Sequence, residues 1–254
     1  AGGAAGITTT NRKKRRLMNE ALTLLSFGPE GWGDEIAWGV VVTVCLAIVT
    51  LPFGLFLGFL IALAKKSSEP SLRLAANIYT TLFRGLPELL TLFLVYFGLQ
   101  IAIQVLLKMA GFDFYFEVNS FIAGVIALSF VFSSYASEAF LSAFRGIPQG
   151  QYEGGYALGL SKGKTLRLVV LPQLIRLALP ALGNSWLVLL KDTSLVSVVG
   201  LSDVMRQSGI AARVTKEPFM FFGIACLIYL VLAMISSTGL VRIERWSKRG
   251  DTAR

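Results

Sequence analysis

Residues 36–64 read IAWGVVVTVCLAIVTLPFGLFLGFLIALA, 29 positions without a charge, bounded by Asp34-Glu35 on one side and Lys65-Lys66 on the other. A helix rises 1.5 Å per residue, and about 20 apolar residues cross a hydrocarbon layer of about 30 Å. The stretch is therefore a membrane crossing, long enough to tilt, and Pro52 inside it does not exclude that. Three further charge-free runs follow: Leu89–Leu107, Val118–Ser137 and Pro218–Val241. Between Arg176 and Lys191 the run Leu177–Leu190 is only 14 residues, short for a crossing. It is extended to Pro172–Leu190 because Arg176 can snorkel to the interface. Five crossings result, and the expected fold is an all-α membrane protein.

The composition agrees. Of 254 residues, 54% are hydrophobic and 15% charged, and the mean hydropathy is +0.66, whereas soluble domains carry roughly 25% charge. There is no histidine, which removes the usual general base and the commonest metal ligand, so enzymatic readings lose most of their chemistry. Cys45 and Cys226 both sit inside apolar runs and suggest neither a disulfide nor a metal site. The formal charge of +9 could mark nucleic acid or a membrane surface. The basic residues flank apolar segments, with no aromatic-lined basic groove, so nucleic acid is not expected and they are topology signals.

Lys65, Lys66, Arg73, Arg84, Arg145, Lys162, Lys164, Arg167, Arg176 and the basic residues after span five lie in alternate connections. The other connections hold only Lys108, Lys191, Arg206, Arg213 and Lys216. By the positive-inside rule the first set is cytoplasmic, which puts the amino end outside and the carboxyl end inside. The run Arg12–Arg16 opposes this orientation. If Met18 is the natural start, residues 1–17 are a leader or remnant and stand outside the fold. The expected organisation is a tail with an interfacial helix over 1–35, a transmembrane domain over 36–245 and a cytoplasmic tail over 246–254, the interfacial helix being weighed against a plain loop.

Two motif matches fail on inspection. Gly159-Leu160-Ser161-Lys162-Gly163 fits a nucleophile elbow, but no histidine is present to activate the serine. Gly163-Lys164-Thr165 ends like a phosphate-binding loop, yet Leu158 stands where the first glycine belongs. ATP is not expected to bind here.

The segment Arg145–Arg176 is far longer than the two to eight residues that usually join packed helices. Gly146, Gly150, Gly154, Gly155, Gly159 and Gly163 recur in it in two sets spaced by four, which on one helix would line a face. Each costs about 1 kcal/mol in a helix interior. Spacing alone leaves two readings open, close approach of a partner and a flexible glycine-rich loop.

Glu153-Gly154-Gly155, Tyr156-Ala157-Leu158-Gly159-Leu160, Leu166-Arg167 and Val169-Val170-Leu171-Pro172 closely resemble the Glu-Ala-Ala loop of ATP-binding-cassette (ABC) importer permeases. Phe83-Arg84-Gly85-Leu86-Pro87, Tyr135-Ala136-Ser137-Glu138 and Lys191-Asp192-Thr193-Ser194 are similar to the polar amino-acid branch. The resemblance covers roughly residues 36–245, and it departs where Gly154 and Gly155 replace alanines. It implies a type I importer, methionine-permease-like transmembrane domain. A loop at about 145–172, with Glu153, Gly154, Gly155, Gly159, Leu171 and Pro172, would be received by a cytoplasmic ATPase.

It implies further that two ATPase subunits, a second permease (identical or homologous), a periplasmic or extracellular binding protein and membrane lipid are the partners. ATP and Mg would sit on the partner ATPase, with no cofactor or metal on this chain, in a bacterial cytoplasmic membrane. The expected function is ATP-driven import of a polar amino acid or opine by alternating access. Intramembrane acids are costly, so Glu138, Glu88 and Asp192 are the substrate-contact candidates. Against that, Glu138 could pair internally with Arg145, and Asp192 with Lys191. The acid at Glu88 resembles members that carry histidine, the lysine-arginine-ornithine group or opines. The rivals are a channel-type subunit uncoupled from an ATPase and an intramembrane enzyme, the latter disfavoured by the absent histidine.

Overall fold

Backbone amides in hydrocarbon must bond within their own segment, and the chain answers with helices. The computed structural model describes residues 23–29 and 31–248, and among these there is no strand. The helices are α1 (Gly33–Lys65), α2 (Pro70–Gly85), α3 (Glu88–Met109), α4 (Ser120–Gly146), α5 (Gln149–Ala157), α6 (Leu171–Asp192), α7 (Val204–Thr215) and α8 (Pro218–Lys248). Five segments are long and apolar enough to cross a membrane, built on α1, α3, α4, α6 and α8. The five expected crossings are all present. Residues 1–22 and 249–254, and with them Met18, the Arg12–Arg16 run and most of the two expected tails, lie outside the described residues. Leu24, Leu25 and Trp32 pack against Ile36, Ala211, Ala212 and Phe221, not as a free surface helix.

α4 is the axis of the bundle. Over its most apolar stretch it is 61% buried, against at most 28% in the other spans. Its alternation of Ala, Ser and Gly lets α1 approach closely: a β-carbon on Gly58 would stand 2.8 Å from that of Ala136, and one on Gly54 2.5 Å from the Phe132 ring. Glycines four apart on a crossing helix form this kind of contact in membranes. The hydroxyls of Ser133, Ser134 and Ser137 donate back to carbonyls three residues earlier, so these polar side chains carry no unmet bond into the apolar interior.

The connection between α4 and the fourth crossing is shorter than expected. α4 runs on to Gly146, and Ile147 takes an extended ψ of 120° because Pro148 follows. α5 then forms and ends at Leu158, with Gly159 at φ +77°. Ser161 caps a turn at Lys162–Thr165, which passes through a π-turn at Leu166–Val170 directly into α6. Pro172 has no amide to donate to Leu168, and the ladder widens just before it. Leu171 and Pro172, expected at the end of the loop, thus lie inside the crossing rod. The glycines do not line one helix either: Gly146 belongs to α4, Gly159 terminates α5, and Gly163 starts the next segment.

α2 and α7 were not foreseen. α2 opens with Pro70 in its first turn and buries Ala76 and Thr80, while Leu74, Ile78 and Leu82 stay exposed. Its Tyr79 hydroxyl meets the Ser133 hydroxyl at 2.8 Å and donates to the Phe130 carbonyl at 3.2 Å. The chain then breaks at Leu86-Pro87 before α3. A 3₁₀ segment, Thr193–Val199, closes the fourth crossing and ends at Gly200 with φ +101°. Asp203 accepts the Arg206 amide at 2.8 Å and so caps α7.

Candidate functional site

Between α4 and α6 lies a cavity of about 170 Å³ lined by Leu128, Phe132, Tyr135, Asn184, Ser185 and Asp192, with Val131, Val188 and Leu189. Its walls are mostly apolar, with a phenol, an amide, a hydroxyl and one carboxylate converging on it. That is the usual composition of a site that orients a small polar ligand. Tyr135 comes from the middle of α4, and Asn184, Ser185 and Asp192 share the cavity-lining face of α6 at helical spacings.

Of the three acids singled out from the sequence, Asp192 lines the cavity. Glu88 opens α3 immediately after the Leu86-Pro87 break, and its charge acts on Asp192 at the end of α6. A helix start and a helix end thus bring two carboxylates within electrostatic reach of each other. Lys191, the neighbour considered as a partner for Asp192, also acts on it electrostatically. Glu88 is not among the residues lining this cavity, and neither is Glu138. The Glu138 carboxylate accepts from Lys65 Nζ and lies 3.7 Å from Arg84 Nη1. The internal pairing weighed for it was with Arg145. The structure gives it Lys65 and Arg84 instead, because the end of α1 and the end of α2 both fold back onto α4, which distance along one helix could not reveal.

At the same end of the bundle as Lys65, α5 protrudes between α4 and the rod leading to α6. Glu153 and Gly154 are exposed, as are Tyr156 and Leu158. Positions 150 and 154 would accept a side chain freely. Gly155 is different: a β-carbon there would lie 2.5 Å from Thr165 Cγ2, so α5 is pressed against the next turn at this point. Gln173 Nε2 donates to Gln151 at 2.9 Å, and Lys66 Nζ donates to the Tyr152 hydroxyl at 3.3 Å. One face of α5 is thereby tied to α6 and α1, leaving the face with Glu153 and Gly154 outward. Among the described residues no cluster of His, Cys, Asp or Glu could hold a metal ion.

Residues 51–245 match the family described as the binding-protein-dependent transport system inner membrane component. The chain belongs to this family. The nopaline transport system permease protein of Agrobacterium fabrum is 43% identical over 230 residues, 90% of this chain and 98% of that protein. The histidine/lysine/arginine/ornithine transport system permease protein of Salmonella typhimurium is 38% identical over 85% of this chain and 94% of its own length. Among solved structures, an amino acid ABC transporter with histidines matches with a TM-score of 0.71 at 33% identity, over 84% of this chain and 94% of that one. An inward-facing methionine ABC transporter matches in fold, with a TM-score of 0.66 at 17% identity, covering 84% and 96%. The expected type I importer architecture is therefore present. The chain is an inner-membrane permease subunit of an ABC importer and a transport component, not an enzyme.

The permease's cavity includes groups that had not been singled out. Asn184 and Ser185 gave no sequence signal beyond lying in an apolar run, and Tyr135 entered only as part of a motif. The one available clue was the spacing of Asn184, Ser185 and Asp192, which share a helical face.

Proposed function

We propose that this permease carries a polar amino acid or opine with a cationic centre inward across the bacterial cytoplasmic membrane by alternating access. The observation that carries this is the Asp192 carboxylate in the wall of a cavity otherwise lined by Tyr135, Asn184, Ser185 and apolar groups, with the charge of Glu88 acting on it. A carboxylate in an apolar cavity, with a second one within electrostatic reach, favours an ammonium or guanidinium ligand, to which it gives charge-assisted bonds. The names of the relatives, nopaline and histidine/lysine/arginine/ornithine systems, agree with a substrate of that kind.

In this reading the end with α5, Lys65 and Lys66 is cytoplasmic, the amino end is outside and the carboxyl end inside. The concentration of basic residues at the α5 end supports the orientation. The outward face of α5, with Glu153, Gly154 and Tyr156, seats in a groove on a cytoplasmic ATPase, as an amphipathic helix seats in a partner. Two such ATPases, carrying ATP and Mg, serve two permeases, this one and an identical or homologous copy, and an external binding protein delivers the substrate. No cofactor is required on this chain. Glu153→Arg reverses the charge on the docking face without touching the bundle. In membranes holding the whole system it should abolish ATPase co-purification and uptake together. Undiminished ATP-dependent uptake by that variant would refute the docking role, and flux that continues without ATP would favour a channel.

A further inference from the structure

Lys65 and Lys66 are consecutive, so on α1 their side chains diverge by about 100° and reach different neighbours. Lys65 is the more unusual: its side chain is only 5% exposed, and lysine is almost never buried without a partner. Its partner is Glu138 of α4, which also lies 3.7 Å from Arg84 at the end of α2. Arg84 in turn lies over the Tyr135 ring, 5.5 Å from its centroid. Tyr135 is one turn before Glu138 on α4 and forms part of the cavity wall.

Lys66 faces the other way. Its amine donates to Tyr152 of α5 and lies 4.3 Å from the centroid of the Phe144 ring on α4. Phe144 stacks on Phe59 of α1 at 6.2 Å, and Phe59 meets Phe140 edge-on at 5.5 Å. A continuous set of contacts thus runs from α5 through Lys66, which caps α1, and Lys65, its last residue, to Glu138, and from there through Arg84 to the cavity.

We propose that Lys65-Lys66 is a coupling joint, in which Lys66 holds α1 to the docking helix and Lys65, through Glu138 and Arg84, holds the same helix end to the Tyr135 wall of the cavity. Displacement of α5 then reaches the ligand site as a rigid shift of α1 against α4, and Glu138 is a positioning residue instead of a ligand contact. The inference rests on the reading of α5 as the ATPase-docking helix. Lys65 is buried although the Glu138 side chain is 37% exposed, so removing Glu138 leaves an uncompensated buried charge, and the joint holds one arrangement firmly until both ends move. A packed interface with ion pairs switches between discrete arrangements and does not deform gradually.

The test uses the complete transporter in proteoliposomes, measuring substrate moved per ATP hydrolysed, with arginine as the transported probe. Glu138→Gln and Lys66→Met should both retain the ATPase on purification yet lower that ratio at least tenfold. The exchanged pair Lys65→Glu with Glu138→Lys should recover part of it relative to Glu138→Gln. An unchanged ratio in both single variants would overturn the joint. So would a Glu138→Gln defect confined to the half-saturating substrate concentration, which would make Glu138 a substrate contact. Lys66 is at the surface, so its variant keeps the test decisive if Glu138→Gln fails to assemble. Failure of the docking reading would look different: the unaltered permease itself would not retain the ATPase through α5.

Discussion

Gly58 of α1 lies so close to Ala136 of α4 that a β-carbon on the glycine would stand 2.8 Å from the alanine's and 3.0 Å from the Ser133 carbonyl oxygen. Since one of those neighbours is backbone, it cannot swing aside. The contact sits in the most extensive helix pairing of the bundle, which also sets the position of Lys65 one and a half to two turns farther along α1.

Enlarging that position should be felt through the whole pairing. Gly58→Val forces α1 off α4 and should cost about 1–3 kcal/mol, the usual penalty of overpacking. Thermal melting of the detergent-solubilised permease should show a clear drop for Gly58→Val and a smaller one for Gly58→Ala. Equal melting of all three proteins would contradict the closeness of the contact.

Asp203 lies between the fourth crossing and α8 and is fully buried, with its backbone against Gly39 of α1. Burial pushes its carboxyl up to about 6 from an ordinary value of 3.8, although the Arg206 and Met205 amides and the Arg206 charge act in the opposite direction. A raised carboxyl binds its proton more tightly in the folded chain, so stability falls as pH rises from about 4 to about 6 and stays lower above that. The loss is up to about 3 kcal/mol. Asn keeps a capping oxygen for the Arg206 amide without the charge. Asp203→Asn should therefore melt higher than the unaltered protein at pH 7.5, with the gap closing near pH 4. A variant that melts lower at neutral pH would show that the charged form is stabilising.

If Glu88 and Asp192 recognise a cation, neutralising either should weaken it selectively. A hydrogen bond to a charged group contributes about 1.5–3 kcal/mol, or roughly tenfold to 150-fold in affinity. Asp192→Asn and Glu88→Gln should each raise the half-saturating arginine concentration at least tenfold. Uptake competition by a neutral amino acid should be much less affected. Equal losses for both kinds of ligand would remove the charge argument.

At the junction of α5 with the next turn, Gly155 faces Thr165, which is fully buried. Gly155→Ala should displace α5 and reduce ATPase retention, even though alanine is the better helix former. Trimming the obstacle with Thr165→Ala removes both atoms that a β-carbon would strike, leaving the Thr165 β-carbon 3.2 Å away. The double variant should regain most of the retention, and a cycle showing simple additivity would mean the two residues do not press on each other.

Composition and apolar run length settled five crossings and an all-helical chain, because backbone in hydrocarbon leaves few alternatives and span length follows from bilayer thickness. The segment around Glu153 was visible for the same local reason, as short helices, caps and prolines act over a few residues. Helix ends were less legible: α4 continues past Ser137 through Glu138 and Arg145, since charged residues near a membrane surface pair or snorkel without ending a helix. α2 and α7 were missed because they are too short or too polar to register as crossings, and their apolar faces are defined only by what they pack on. The roles of the acids needed the tertiary structure most. Nothing in the order of residues brings Glu88 within electrostatic reach of Asp192 or pairs Lys65 with Glu138, positions 104 and 73 apart in the chain. Those distances are set by how the helices cross, and that depends on close packing of small residues such as Gly58 and Ala136.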